Sequence, residues 1–208
     1  RYTTSHPLQF TDDLIAAYED KKLANYLHLP VQSGSNRILK LMRRKYKVDR
    51  YLDRIEKLRL IRPDICISSD FIVGFPGETQ EDFDATLNLV DKVGFDQSFS
   101  FIYSPRPNTK ASEMIDDVDH ETKLKRLQQL QSKITENARK ISEEMVGSSQ
   151  TVLVEKKSKK DENQLTGRTE NNRWVNFDGP GSLIGEFVDI DITEALANSL
   201  RGRISRLI

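Results

Sequence analysis

Three short apolar stretches, "YLHLPV" (26–31), "ICISSDFIV" (65–73) and "QSFSFIY" (97–103), recur over the first 115 residues with amphipathic segments between them. This alternation constrains the fold most. Strands separated by helix-length crossovers pair in parallel, because a tight hairpin returns the chain only antiparallel. Thr11 stands where it would cap "DDLIAAYED", with Phe10 placed to staple onto the first turns. "NRILKLMRR" follows Ser-Gly-Ser at 33–35, and "RYLDRIEKLRLI" carries Tyr51, Leu52, Ile55 and Leu58 on one face. Thr79 with Asp82 reads as a capping box for "QEDFDATLNLVDKV", where Phe83, Leu87 and Val90 keep helical spacing. "RYTT" reads as the end of an earlier strand. The first part of the chain is therefore α/β, built of βα units on a parallel sheet.

Residues 119–146 read as one long helix, with Leu124, Leu127, Leu130, Ile134, Ala138, Ile141 and Met145 stepping by three or four. Its basic residues Lys123, Lys125, Arg126 and Lys133 read as solvated surface. After Gly147 the period changes to short β-branched runs between turns, among them Asp-Glu-Asn, Glu-Asn-Asn and Gly-Pro-Gly. Five strands fit, at 150–156, 164–168, 173–178, 186–194 and 199–207. Such a pattern over about 60 residues suggests a small closed all-β barrel of the kind oligonucleotide-binding folds use. The expected organisation is 1–118, a connecting helix 119–146, and a barrel 147–208.

Composition removes several function classes. Lys+Arg and Asp+Glu both number 32, which excludes bulk attraction to nucleic acid but not a local basic patch. The 147–208 segment is itself neutral, with nine of each sign. No apolar run approaches the roughly 20 residues that span a bilayer; the expectation is a soluble, cytoplasmic protein with no membrane partner. One cysteine, Cys66, cannot complete a cysteine-based zinc or iron–sulfur site, and its apolar neighbours mark it as a structural thiol. The start at "RYTTSHP" reads as a fragment lacking an upstream part.

The strand ends carry the candidate chemistry. The three strands run into "PVQSGS", "GFPGET" and "SPRPNT", and parallel α/β sheets bind ligands at the carboxyl ends of their strands. Gln32, Ser33 and Ser35 offer hydrogen-bonding groups, while Gly34, Gly74 and Gly77 let a backbone come close. Arg106, held between prolines, suits an anion. His28 reads as a satisfied interior histidine, and Asp70 as either a hydrogen-bonded structural acid or a site residue at the mouth. In the barrel, Arg168, Arg173, Trp174 and Phe177 offer either stacking faces and phosphate contacts for RNA or simply core.

"TTSHP", "LHLPVQSGSNRILKLMRRKY", "RPDICISSDFIVGFPGETQEDF", "FDQSFSFIYSPRPNT" and "LTGRTENNRWVNF" together resemble the C-terminal half of the radical S-adenosylmethionine methylthiotransferases. The resemblance spans essentially the whole chain, and the last two motifs favour the tRNA-modifying members. It implies the C-terminal part of a partial (β/α)6 TIM-like barrel followed by a TRAM domain. It further implies tRNA (the anticodon stem-loop) as partner, a monomeric enzyme, and two [4Fe–4S] clusters with S-adenosylmethionine as cofactors. By motif, Gln32, Ser33, Gly34 and Ser35 would line the ribose and methionine part of S-adenosylmethionine. Ile72, Val73, Gly74 and Phe75 would meet its adenine. Arg106, Arg168, Arg173 and Trp174 would face tRNA. In such enzymes one cluster cleaves S-adenosylmethionine to a radical and the other delivers sulfur to C2 of an isopentenylated adenosine. The chain departs from the family in lacking both cysteine triplets, which would lie upstream of Arg1, so the piece alone is expected to carry no cluster and no activity. Competing readings are a methylthiotransferase acting on threonylcarbamoyladenosine or a ribosomal protein, a non-catalytic RNA-binding protein on an α/β scaffold, and an ordinary barrel enzyme using Arg106 on a phosphorylated substrate.

Overall fold

Pro30 and Ser69 determine how the parallel strands meet. In the computed structural model, which describes residues 1–158, 161 and 164–207, β1 (Tyr26–His28) pairs with β2 (Cys66–Ser68). Pro30 has no N–H to donate, so the regular ladder stops before it. The chain rejoins the sheet at Gln32, whose N–H donates to the Asp70 carbonyl and whose carbonyl accepts from Ile72 N–H, both at 2.9 Å. Between these points Val31 N–H donates to Ser69 Oγ at 2.9 Å, and Ser69 N–H donates to Ser98 Oγ at 3.0 Å. The apolar run 65–73 is therefore divided at Ser69, its second half forming β3 (Asp70–Val73). β3 pairs in parallel with β4 (Phe99–Ile102), from Asp70 opposite Phe99 to Val73 opposite Ile102. All three expected strands thus lie side by side with their carboxyl ends at one rim.

The pleat gives this sheet two chemically different faces. Phe71 and Val73 are fully buried with Leu29, Val31, Ile67, Tyr51, Leu58, Phe83 and Val90, beneath the helices. The helices are α1 (Asp12–Ala16), α2 (Asn36–Leu41), α3 (Val48–Ile61) and α4 (Gln80–Val93). Each such side chain stabilises the fold by about 1.5–3 kcal/mol relative to exposure. Tyr51 Oη donates to the Leu29 carbonyl at 2.8 Å and Tyr46 Oη to the Val31 carbonyl at 3.1 Å, serving backbone groups around the proline interruption. The opposite face carries Asp70, Ile72 and their cross-strand partners Phe99 and Phe101.

Helix starts follow the sequence unevenly. Thr79 and Asp82 form the expected capping box of α4, which ends on Gly94 in the left-handed region. Thr11 occupies the cap position of α1 but makes no side-chain capping bond, while Phe10 is buried as a staple should be. "RYTT" is not a strand; Ser5 N–H instead donates to the His28 carbonyl at 3.2 Å.

The long helix α5 (His120–Glu144) forms as expected, but its inward face differs from the one read from leucine spacing. Leu130 and Ile134 are buried, whereas Leu124 is exposed and Lys123 and Arg126 are buried in their place. The reason is electrostatic. Arg126 pairs with Glu78 at 2.9 Å, Lys123 with Asp116 at 2.5 Å and Lys133 with Asp91 at 2.5 Å, so these cations are not free surface.

The chain divides into two units, Arg1–Leu23 with Leu27–Asn137, and Ala24–Tyr26 with Ala138–Ile208. The second holds a closed barrel in the order β5-β6-β7-β9-β8, with β5 (Ser149–Lys157), β6 (Gln164–Thr169), β7 (Trp174–Asp178), β8 (Phe187–Ala195) and β9 (Leu200–Leu207). The five expected strands are all present. Two residues of the Asp-Glu-Asn turn lie outside the described residues. Val188, Ile190 and Ile192 of the alternating "FVDIDIT" point into a core shared with Val152, Val154, Val175 and Phe177. Phe177 is therefore core rather than a stacking face.

Candidate functional site

The rim where the parallel strands end encloses a cavity of about 840 Å³. Gln32, Asp70, Ile72, Phe75, Phe101 and Tyr103 line it, together with Arg43, Arg44 and Arg106. Gln32 has φ +74° although it is not glycine, and is nearly buried. Such a backbone costs on the order of 1–3 kcal/mol and is held by the two sheet bonds that Gln32 makes on either side of its peptide. Phe75 is buried and packs edge-on against Tyr103, with ring centroids 5.0 Å apart. The Tyr103 hydroxyl oxygen is sealed from solvent and has no hydrogen-bond partner among the described residues. His28 lies deeper, its Nδ1 2.8 Å from Ser68 Oγ and its Nε2 3.4 Å from Asp70 Oδ1. It is a satisfied interior histidine, and Asp70 both partners it and faces the cavity.

The remaining strand-end candidates are turned away from this cavity. Ser33 is fully buried, its Oγ 3.4 Å from Thr86 Oγ1 and accepting from Ser35 N–H at 3.1 Å. Ser35 caps α2 through Ile38 N–H and donates to Asp82 Oδ1 at 2.5 Å. Gly34 makes a close approach, but to α4: a Cβ there would lie 2.4 Å from the Ala85 carbonyl oxygen. Val73 belongs to the core beneath the helices, and Gly74 donates its N–H to Glu78 Oε2 at 2.8 Å. The side chains at 33 and 35 thus build the wall, while Gln32, Ile72 and Phe75 reach the cavity.

Asp82 organises that wall. It accepts from Ser35, from Arg37 and from the Thr79 N–H and hydroxyl. Burial pushes its carboxyl up, but these donors outweigh burial and hold it well below the usual carboxylate range. For Glu78 the balance is reversed. Burial raises its pKa despite the Gly74 N–H and the Arg126 guanidinium.

In the second unit the Arg168 guanidinium sits over the Trp174 ring, 3.7 Å from its centroid, and Lys156 Nζ lies 4.9 Å from the same centroid. Arg168 also donates to Asn172 Oδ1 at 2.7 Å and pairs with Glu155 at 3.3 Å. A second cavity of about 560 Å³ beside Trp174 is lined by Lys156, Gln164, Thr166, Asn176, Asn198 and Arg201. Arg173 corrects the sequence reading. Only 2% exposed, it donates to the Ala138 carbonyl at 3.0 Å and Ser142 Oγ at 2.8 Å, fastening the end of α5 to the barrel instead of facing RNA.

Sequence reasoning missed Tyr103 and Arg126. Strand parity was available for Tyr103, two residues beyond Phe101 on one face of the pleat. For Arg126 the only signal was a buried-face spacing that its charge concealed. Among the described residues no group of three His, Cys, Asp or Glu is placed to hold a metal ion, and the single cysteine cannot ligate a [4Fe–4S] cluster.

One unit holds a partial parallel sheet with a strand-end cavity and the other a five-stranded closed barrel. Residues 1–90 match the Radical SAM superfamily and residues 143–205 the TRAM domain. The structure of coproporphyrinogen III oxidase (HemN) from Escherichia coli, a radical SAM enzyme, superposes with a TM-score of 0.54 at 15% identity, covering 95% of this chain and 49% of that one. The chain is 60% identical over 205 residues to the tRNA-2-methylthio-N(6)-dimethylallyladenosine synthase of Methylococcus capsulatus, covering 98% of this chain and 45% of that protein. It is 61% identical to the protein of that name from Xanthomonas campestris pv. campestris (strain B100), covering 98% of this chain and 42% of the relative. The chain aligns with the C-terminal part of these relatives and spans less than half their length.

Proposed function

We propose that this chain is the C-terminal part of a tRNA methylthiotransferase that converts N6-isopentenyladenosine beside the anticodon to its 2-methylthio derivative. The observation that carries the reading is the strand-end cavity, set within a sequence 60% identical over nearly its whole length to enzymes named for that product. Two features of the cavity support S-adenosylmethionine as its ligand. The Tyr103 hydroxyl has no partner among the described residues, a place a ligand polar group would fill, and Ile72, Phe75 and Phe101 provide apolar area for a nucleoside ring. When bound, S-adenosylmethionine would supply radical and methyl-donor chemistry. Gln32 would fix its polar part, and Ile72 and Phe75 its base. Arg106 would attract the anionic substrate.

The chain's own residues do not fit an iron–sulfur cluster: it has one cysteine, and among the described residues no group of three His, Cys, Asp or Glu is placed to hold a metal. The cluster ligands are assigned to the portion of the relatives that this chain does not cover, and the piece alone is expected to be inactive. Arg168 and Trp174 would supply the RNA-facing surface of the TRAM domain, by guanidinium and ring contacts to phosphate and base. The enzyme would act as a cytoplasmic monomer; no helix among the described residues is long and apolar enough to cross a membrane.

The test uses the full-length protein with reconstituted clusters and tRNA carrying either isopentenyl- or threonylcarbamoyladenosine. Nucleoside mass spectrometry should find the methylthio product on the isopentenylated base alone. Product on threonylcarbamoyladenosine, or on neither, would refute the assignment.

A further inference from the structure

The loop after β3 is held from behind by two cations of α5. Glu78 Oε2 accepts from Gly74 N–H at 2.8 Å and from Arg126 Nη1 at 2.9 Å, and the same nitrogen donates to the Glu78 carbonyl at 3.0 Å. Both side chains of this pair are more than nine-tenths buried. Glu78 N–H closes the turn onto the Phe75 carbonyl at 2.9 Å. Lys123 completes the clamp. Its stem fills the space where a Gly74 Cβ would stand, with Cγ 2.3 Å from that position, and its ammonium is bound by Asp116. Its Nζ also lies 6.0 Å from the centroid of Tyr103, the ring against which Phe75 packs.

Stability alone does not call for charges here. A buried ion pair does little better than well-packed apolar side chains of similar volume. What it adds is direction. A carboxylate oxygen shared between Gly74 N–H and a guanidinium cannot rotate without stranding a buried donor, so the Gly74–Phe75 main chain keeps one orientation.

We infer that Arg126 and Lys123 of α5 are positioning residues for the Gly74–Phe75 ledge, holding its main chain and the Phe75 ring in the attitude that receives the nucleoside end of S-adenosylmethionine. The inference rests on the reading of the strand-end cavity as the S-adenosylmethionine site. Neither residue lines that cavity, so an effect on the ligand passes from Arg126 through Glu78 and Gly74, and from Lys123 through Gly74 and the Tyr103 ring.

The test measures S-adenosylmethionine affinity by equilibrium dialysis, tRNA affinity by filter binding and the urea midpoint, all on the full-length holoenzyme. Arg126→Met should weaken S-adenosylmethionine about tenfold, the coupling typical of residues in one buried network, and leave tRNA affinity within about twofold. Arg126→Lys should recover part of the loss, and the double variant Arg126→Met/Glu78→Gln should be no worse than the poorer single one. If Arg126→Met does not fold, Lys123→Met provides the same readout, with an expected loss of about threefold or more. S-adenosylmethionine affinity within about twofold of wild type in the folded variant, with only the urea midpoint reduced, would overturn the inference. Unchanged S-adenosylmethionine affinity in Ile72→Glu would instead overturn the reading of the cavity, which keeps the two failures apart.

Discussion

Gly74 and Gly94 provide a matched pair for testing how tightly α5 is seated against the strand-end loop. Their φ angles are +66° and +64°, so alanine meets the same left-handed backbone penalty at both, on the order of 1–2 kcal/mol. The reduced freedom of the unfolded chain returns about 0.4–1 kcal/mol in each case. At Gly94 nothing lies within 4 Å of the added Cβ, so Gly94→Ala should cost about 1 kcal/mol in total. At Gly74 the same atom would stand 2.3 Å from Lys123 Cγ and 2.9 Å from Cδ. Lys123 cannot swing away freely, because its ammonium is tied to Asp116. Overpacking of this kind adds about 1–3 kcal/mol. The loosened ion pair adds less than about 1 kcal/mol, since Asp116 is 44% exposed. Gly74→Ala should therefore be destabilised by about 2 kcal/mol more than Gly94→Ala. Urea unfolding with an unchanged m-value reads the difference. Introducing Lys123→Ala into Gly74→Ala should remove most of the excess. Equal destabilisation of the two alanine variants, or no relief from Lys123→Ala, would refute the clamp.

Further expectations concern the wall, the barrel and the cavity. Because the folded pKa of Asp82 lies below its unfolded value, its stabilisation is complete above about pH 4 and lost as pH falls through the folded value. Asp82→Asn should cost about 2–3 kcal/mol at neutral pH and flatten this part of the acid limb in urea titrations from about pH 7 down to about pH 2. Arg173→Ala should destabilise the barrel unit by about 2–4 kcal/mol, without rescue by lysine, since a point charge cannot reach both Ala138 and Ser142; thermal denaturation of Arg173→Ala and Arg173→Lys checks it. Arg168→Ala should instead leave unfolding within about 1 kcal/mol and reduce tRNA affinity severalfold in filter binding. Tyr103→Phe should fold at least as stably as wild type, because it deletes a hydroxyl with no partner among the described residues, yet weaken S-adenosylmethionine binding measured by dialysis.

Periodicity and punctuation carried the local structure by themselves. The "GFPGET" segment stops a strand and starts a helix because its two glycines adopt positive φ and its Thr79 caps α4, both consequences of residue type over a few positions. The five barrel strands, the capping box and the parallel order of 26–31, 65–73 and 97–103 were legible for the same reason. Tertiary structure decided which polar groups face the ligand. Gln32 and Ser33 are adjacent and both polar, yet one lines the cavity and the other is closed against Thr86, because the backbone turns at Gln32. Arg173 and Arg126 look like surface cations, and each is buried because a distant segment offers it acceptors: the end of α5 for one, Glu78 for the other. Short-range sterics and hydrogen bonding act between neighbours in sequence. The burial of a charge depends on partners tens of residues away, and only the folded chain brings them together.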